Sequence, residues 1–249
     1  MPAHSFIRIF EEHYTCFRLL FAESIADPSE EVIHQMRVEI KYLVALIHFV
    51  KELAPVTNED NLTMQFKRIA KKSGKVRDWQ VIRILLETHP QINKQELVAE
   101  IDSRIANKQQ KYMEFAQTVN LKKQIAHELP IEQIQFSPAL FNGYVGQLQC
   151  RAKTLLEKGM ENREYWHKAR HLMKRGFYLM NLANRLFANC FPIKEIQEAR
   201  QLEQLIGNWH DQTIIIDFCD LQQIPVSEQD LEQFDYLEKE IINKISTGM

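Results

Sequence analysis

The sequence is poor in the residues that make tight turns, with 7 glycines and 8 prolines among 249 residues. This scarcity argues against a fold of many short strands and favours long helices. No apolar run approaches the ~18 residues that a membrane-spanning helix needs, and the longest, at residues 44–50, is interrupted by His48. No secretory leader pattern opens the chain. We therefore expect a soluble, cytoplasmic protein with no membrane partner.

The cysteines are few and far apart, at Cys16, Cys150, Cys190 and Cys219. Because none of them forms a C-x-x-C pair, the sequence predicts neither a zinc site nor a redox-active disulfide. The formal net charge of −2 also excludes a strongly basic nucleic-acid-binding domain. An anionic partner would have to be bound by local groups of cations.

Apolar residues recur at helical spacing along the chain, and no stretch alternates as a strand does. The pattern predicts helices over about 6–26, 28–53, 58–73, 76–88 and 94–128, and again over about 139–158, 162–189, 193–206, 208–221 and 227–245. Asp27-Pro28 indicates the start of the second helix, and Ser73-Gly74 indicates the end of the third. The predicted fold class is all-α, with five helices in each half.

The two halves share a sequence register. A shift of 133 positions places His34 on His167, Arg37 on Arg170, Lys41 on Lys174, Gly74 on Gly207 and Asp78 on Asp211. Most of these matches are polar or glycine residues, which amphipathic helices do not share by default. The register predicts a tandem duplicated helical repeat, folded as two pseudo-two-fold-related antiparallel bundles. We expect a first half at residues 1–129, a linker at 130–138 and a second half at 139–249.

Each half carries a stripe of cations on one helix face. We call His34, Arg37 and Lys41 the first stripe and His167, Arg170 and Lys174 the second stripe. Arg175 stands at the edge of the second stripe, and Tyr178 extends its face. One cation or hydrogen-bond donor per turn suits a run of phosphates, because each phosphate offers several acceptor oxygens.

A second group of cations follows the first stripe along the chain. This basic segment contains no acidic residue and consists of Lys67, Arg68, Lys71, Lys72, Lys75 and Arg77. Its counterpart in the second half, residues 200–205, has only Arg200 as a cation. Residues 195–247 hold twelve acidic residues against three Lys or Arg. The charge is therefore unevenly distributed, and an anion would be drawn to one region of the surface.

Other interpretations of these residues stay open. A basic stripe on an amphipathic helix can be no more than a solvated face. His167 and His171 have the i, i+4 spacing of metal ligands, but no third ligand is evident. Asp78 and Asp211 could be acid–base groups, although a helix cap or a partner for a stripe cation is the commoner role. The three tryptophans are more often core residues than platforms for stacking bases.

The motifs together resemble the CHAD domain (conserved histidine α-helical domain), a family of two pseudo-symmetric helical bundles. The family pattern H-x-x-R-x-x-x-[KR]-[KR]-x-R is similar to HQMRVEIKYLV at His34–Val44 and to HKARHLMKRGFY at His167–Tyr178. A second pattern, L-G-x-x-[RNH]-D, is similar to SGKVRD at Ser73–Asp78 and to IGNWHD at Ile206–Asp211. The resemblance covers essentially the whole chain.

The resemblance implies that inorganic polyphosphate, or a similar phosphate-rich anion, binds in a basic groove between the bundles. It also implies association with polyphosphate granules and no catalysis by the domain, so no cofactor, metal ligand or catalytic residue is expected. By position it assigns anion binding to His34, Arg37, Lys41, His167, Arg170, Lys174 and Arg175. The charge pattern adds Tyr178 and, from the basic segment, Lys67, Arg68, Lys71, Lys72 and Arg77.

Three positions depart from the family pattern, because Tyr42, Val44 and Phe177 stand where it has cations. Two other functions therefore remain as hypotheses. One is a protein-interaction scaffold that uses the predicted long helix at 94–128 and has a drifted anion site. The other is an accessory to a metal-dependent phosphohydrolase. RNA binding is a weaker alternative, because the chain has no recognisable nucleic-acid motif.

Overall fold

The computed structural model describes residues 2–54, 60–88, 94–226 and 228–246. The described residues form eight α-helices and two short 3₁₀ turns, with no strand among them, which confirms the all-α fold class. The helices are α1 (Pro2–Ala26), α2 (Glu30–Leu53), α3 (Asp60–Thr88), α4 (Lys94–Gln117), α5 (Pro138–Lys158), α6 (Glu164–Leu186), α7 (Ile193–Leu221) and α8 (Glu228–Ser246). None of these helices, over the residues described, is long and apolar enough to cross a membrane.

The chain divides into two compact units. The first unit comprises Met1–Ile84 and Asn93–Phe136, and the second comprises Leu85–Ile92 and Ser137–Met249. In the first unit α1 packs against α2 and α4. In the second unit each helix from α5 to α8 packs on the next, and α8 also contacts α5. Each unit therefore builds its own core, as a duplicated helical repeat requires.

The core of the first unit is rich in aromatic rings. On α1, Phe6, Phe10 and Phe17 recur at helical spacing and are fully buried. The Tyr14 hydroxyl on the same helix donates a 2.7 Å hydrogen bond to the carbonyl of Lys122. Because that carbonyl follows α4, the hydrogen bond ties the chain beyond α4 to the buried face of α1.

The segment predicted as a linker, residues 130–138, is not a free connection. Ile131, Ile134 and Phe136 are buried, and the Phe136 ring stacks on Phe6 with centroids 4.8 Å apart. The helix predicted to reach residue 128 ends at Gln117 instead. Two 3₁₀ turns follow it, at Ala126–Glu128 and Ile131–Gln133. Up to Phe136 the segment therefore belongs to the first unit, because its apolar side chains complete that core.

The core of the second unit is organised around two tryptophans. Trp166 and Trp209 pack edge to face with ring centroids 5.1 Å apart. The Trp166 ring nitrogen donates a 3.1 Å hydrogen bond to the carbonyl of Leu156. Trp79 is different: it is partly exposed and lies under the guanidinium of Arg104 at 4.8 Å. The prediction that tryptophans are core residues is thus confirmed for two of the three.

The predicted number of helices was wrong. Residues 58–88 were expected to form two helices, but α3 runs unbroken through Ser73 and Gly74. In the second unit α7 likewise runs unbroken through Gly207. The two glycines do not end helices. They leave room for a side chain from the preceding helix. The start of α2 was also misplaced, because α2 begins at Glu30, beyond Asp27-Pro28.

Gly159 and Gly143 predict opposite responses to the same substitution. A Cβ at Gly159 would overlap the Trp166 ring, so Gly159→Ala should lower the free energy of unfolding by about 1–3 kcal/mol. Gly143, inside α5, has no atom within 4 Å of the same position. Gly143→Ala should therefore raise stability by about 0.5–1 kcal/mol through helix propensity. Chemical denaturation of both variants tests this pair, and changes of equal sign would contradict it.

Candidate functional site

The first stripe lies on α2. His34 is exposed, whereas Arg37 and Lys41 are partly buried. Successive members of the stripe are three or four residues apart, so they lie on one helix face within about 60°. The stripe thus runs from solvent at His34 toward the contact of α2 with α3.

Arg37 is the member that joins the two helices. Its guanidinium donates to the carbonyl of Ala70 and, at 3.3 Å, to the Ser73 hydroxyl on α3. It also lies directly on Gly74, where a Cβ would be 3.0 Å from the guanidinium nitrogen. Burial lowers the pKa of Arg37, and the nearby Asp78 opposes that shift. A side chain larger than glycine at position 74 would push this arginine away.

Asp78, whose side chain is exposed, interacts with Arg37 through its charge. Burial raises the pKa of its carboxyl group, and the charge of Arg37 lowers it. Since α3 continues past Asp78, this residue does not cap a helix. Its role as an electrostatic partner of a stripe cation was one of the two commoner roles considered from the sequence.

The basic segment lies along α3 and is mostly exposed. Among the described side chains, no ion pair involves Lys67, Lys71, Lys72 or Lys75. Helical geometry places Lys67 and Lys71 within about 100° of the face that contacts Arg37. These two lysines therefore extend the first stripe onto α3.

Three of the other four cations of the basic segment contact neighbouring helices. Arg68 and Lys72 lie over the Phe115 ring of α4, at 5.9 and 5.5 Å from its centroid. Arg77 lies 3.1 Å from a carboxylate oxygen of Glu30 at the start of α2. The predicted anion-binding set in this unit is thus divided into residues that face solvent and residues that also hold helices together.

The second stripe lies on α6, and its cations contact an acid. The Glu203 carboxylate on α7 accepts a 2.8 Å hydrogen bond from Arg170 Nε and lies 3.2 Å from Lys174 Nζ. Arg170 also lies on Gly207, where a Cβ would be 2.5 Å from the guanidinium. Burial and the charge of Arg170 lower the pKa of Lys174, whereas Glu203 and Asp211 raise it. Both arginines therefore make the same contact with a glycine 37 residues further along.

Three histidine rings cluster at the start of the second stripe. The Nε2 atoms of His167 and His171 are 3.0 Å apart and share a hydrogen bond. The His210 ring of α7 lies 4.8 Å from the ring of His167. Burial, with the charges of His167 and Arg170, lowers the pKa of His210 to about 4. His210 is therefore neutral near pH 7.

Arg175 and Tyr178, the two other predicted binding residues of α6, lie beside the second stripe. Arg175 and Tyr178 are both partly buried on α6. The Tyr178 ring contacts Phe177 edge to face at 5.9 Å. Within the residues described, no group of three or more His, Cys, Asp or Glu side chains is placed to hold a metal ion.

Two departures from the family pattern have a structural explanation. Tyr42 is buried and stacks on the ring of His13, with centroids 3.7 Å apart, while His13 Nδ1 contacts Glu39 at 2.7 Å. This position therefore belongs to the packing of α1 on α2. Phe177 lies under the guanidinium of Arg200 at 5.9 Å. An aromatic ring thus lies beside a cation from α7 at the position where the family pattern has its last arginine.

Glu203 and His210 were not identified from the sequence. Glu203 follows Arg170 by 33 residues, and Ala70 follows Arg37 by the same interval. The 133-residue register could therefore have pointed to Glu203, because it aligns this acid, in the half that also carries Arg170 and Lys174, with the uncharged Ala70. His210 aligns with Arg77 in the same register, so a neutral ring replaces a permanent cation.

The low pKa of His210 predicts a pH-dependent stability. Above pH ~6.5 the His210 ring is neutral in the folded and in the unfolded chain, so it does not make the free energy of unfolding depend on pH. Between about pH 6.5 and 4 the ring binds a proton in the unfolded chain but stays neutral in the folded one. Stability should therefore fall as the pH falls through this range. Because the ring is partly exposed and solvent screens part of this effect, His210→Gln should retain only about 1–2 kcal/mol that the wild type loses. The measurement is a denaturant titration at pH 7 and at pH 4.5, with the exposed His4→Gln as the control variant. If the wild type and His210→Gln lost equal stability between the two pH values, the prediction would be wrong.

Comparison with known proteins identifies the family. The chain is similar over its whole length to the crystal structure of the CHAD domain from the plant Ricinus communis, with 16% identity and a TM-score of 0.65, covering 88% of that chain. At this identity the likeness shows the fold alone. A search of curated protein sequences found no match. The family model described as CHAD domain matches residues 8–220, and the chain therefore belongs to the CHAD domain family.

Proposed function

We propose that this protein binds inorganic polyphosphate, or a similar phosphate-rich anion, without catalysing a reaction on it. The observation that carries the proposal is the exposed set of lysines on α3 beside the first stripe. Lys67 and Lys71 are exposed and, among the described side chains, have no ion-pair partner. An anion that binds these two lysines does not have to displace a carboxylate of the protein, so little of its electrostatic attraction to them is lost.

Polyphosphate fits this surface because its charge is repeated along a flexible chain. Each phosphate can accept hydrogen bonds from several donors, and contacts made after the first are effectively intramolecular. Arg37 supplies a partly buried guanidinium beside the lysines, although part of its hydrogen-bonding capacity is used by Ala70 and Ser73. The first unit is therefore expected to bind more strongly than the second, where Glu203 contacts both basic members of the stripe.

The proposal assigns no chemical step to the domain. Asp78 and Asp211 act on stripe cations through their charge, which is a role in positioning rather than in proton transfer. If the wild type hydrolysed polyphosphate and Asp78→Asn did not, the protein would be an enzyme and this proposal would be wrong. Association with polyphosphate granules in cells would follow from binding and belongs to the same proposal.

Removing the exposed lysines is the first test. Lys67→Ala with Lys71→Ala should weaken binding of long polyphosphate about tenfold, because each lysine loses a charge-assisted contact. Lys153→Ala with Lys158→Ala removes the same charge from exposed positions on α5 and should change affinity less than about threefold. The measurement is a calorimetric titration with polyphosphate of defined length, with RNA as competitor. Equal losses in the two double variants would mean that only net charge matters.

The two stripes predict a dependence on ligand length and salt. Long polyphosphate should bind more tightly than triphosphate, and orthophosphate should bind poorly, because a short ligand reaches fewer cations. Raising the salt concentration should weaken binding through screening and counterion release. Lys41→Ala should lower affinity for the long ligand in the same titration. If the wild type does not bind long polyphosphate at low salt, the stripes are solvated faces and the scaffold hypothesis takes their place.

Arginine variants need a parallel stability measurement. Arg37→Ala with Lys41→Ala, and Arg170→Ala with Lys174→Ala, should both weaken binding of long polyphosphate. Each arginine also contacts the neighbouring helix, so its removal lowers stability as well. Thermal denaturation of each variant, with and without ligand, separates a lost contact from a misfolded unit.

A further inference from the structure

Glu203 is in contact with both basic members of the second stripe. A single carboxylate oxygen accepts the hydrogen bond from Arg170 and lies within ion-pair distance of Lys174. The side chain is only 16% exposed, so water screens these attractions weakly. A carboxylate held by an arginine and a lysine has the arrangement that a bound phosphate would have.

The first unit has an uncharged residue at this position. Arg37 reaches the backbone carbonyl of Ala70, whereas Arg170 reaches the side chain of Glu203, each 33 residues further along the chain. The two arginines otherwise make the same contact, because each lies on the glycine four residues beyond that position. The change from alanine to glutamate is therefore a local difference in charge at matched positions of two similar helix pairs.

We propose that Glu203 is a resident anion in the second stripe and sets the charge density that a ligand must have to bind there. This inference rests on the proposed function and specifies the ligand at the same site. A ligand phosphate gains the full attraction of Arg170 and Lys174 only when it displaces the carboxylate. Orthophosphate offers no neighbouring phosphate for a second contact, whereas consecutive phosphates that share bridging oxygens bring several negative charges to both cations at once.

The consequence is selectivity by ligand type. In polyphosphate adjacent phosphates are directly linked, whereas in a nucleic acid a sugar separates them. The second unit therefore excludes orthophosphate and discriminates against RNA, while the first unit is more tolerant.

Replacement of Glu203 tests this directly. Glu203→Gln keeps the shape of the side chain, and Glu203→Ala reproduces the residue of the first unit. Both variants should bind orthophosphate and RNA on the order of tenfold more tightly than the wild type, with a smaller gain for long polyphosphate. The matched control is Glu198→Gln, which removes the same charge from an exposed position on α7 near Lys194. A gain of equal size in Glu198→Gln would overturn the inference.

The reciprocal variant makes the same test in the first unit. Ala70→Glu places a carboxylate beside Arg37 and should weaken orthophosphate and RNA binding more than binding of long polyphosphate. Because this variant leaves α6 and α7 unchanged, it decides the question even if the Glu203 variants fold poorly. Unchanged selectivity in Ala70→Glu, measured on folded protein, would overturn the inference.

Ligand-dependent stability gives a second readout. Without ligand, Glu203→Gln should be less stable than the wild type, because Arg170 and Lys174 lose their acid. Long polyphosphate should then raise its melting temperature by more than that of the wild type. If the wild type binds polyphosphate but no variant changes the selectivity, only the inference about Glu203 is refuted and the proposed function stands. Failure of the wild type and all variants to bind any of these anions would refute both proposals.

Discussion

The packing of an arginine on a glycine of the next helix is the contact on which both units depend. Arg37 lies on Gly74 and Arg170 lies on Gly207, in each case with hydrogen bonds to the same neighbouring helix. A charged side chain at a helix contact is costly to bury unless its donors find acceptors. The contact therefore fixes the distance between the two helices and the position of the remaining cations on either side.

Under the proposed function, this constraint gives the stripe arginines two roles that oppose each other. A guanidinium that holds two helices together has fewer donors left for a ligand, and its movement would loosen the unit. Lys67 and Lys71 of α3 are not limited in this way, because both are exposed and, among the described side chains, neither makes an ion pair. Ligand affinity can change at the lysines while the arginines preserve the fold, and the two units differ most at these surrounding positions.

The sequence was sufficient for the helical fold, because apolar residues at helical spacing can be recognised without knowing what they pack against. It was misleading at Gly74, since a glycine that ends a helix and a glycine that accommodates an arginine look the same in one dimension. The stacking of Tyr42 on His13 and the contact of Glu203 with Arg170 join residues on different helices. Only their positions in space reveal those pairs, although the internal register already aligned Glu203 with Ala70.

The unbroken course of α3 has a thermodynamic consequence for any elongated ligand. With a rise of about 1.5 Å per residue, Lys67 and Lys75 lie about 12 Å apart along the axis of one helix that continues through Gly74. The protein backbone in this region is already ordered before binding, so its conformational entropy changes little. The ordering cost falls almost entirely on the ligand, which must straighten along the helix. A stiff or pre-extended anion would therefore lose less entropy on binding than a freely coiled one of equal charge.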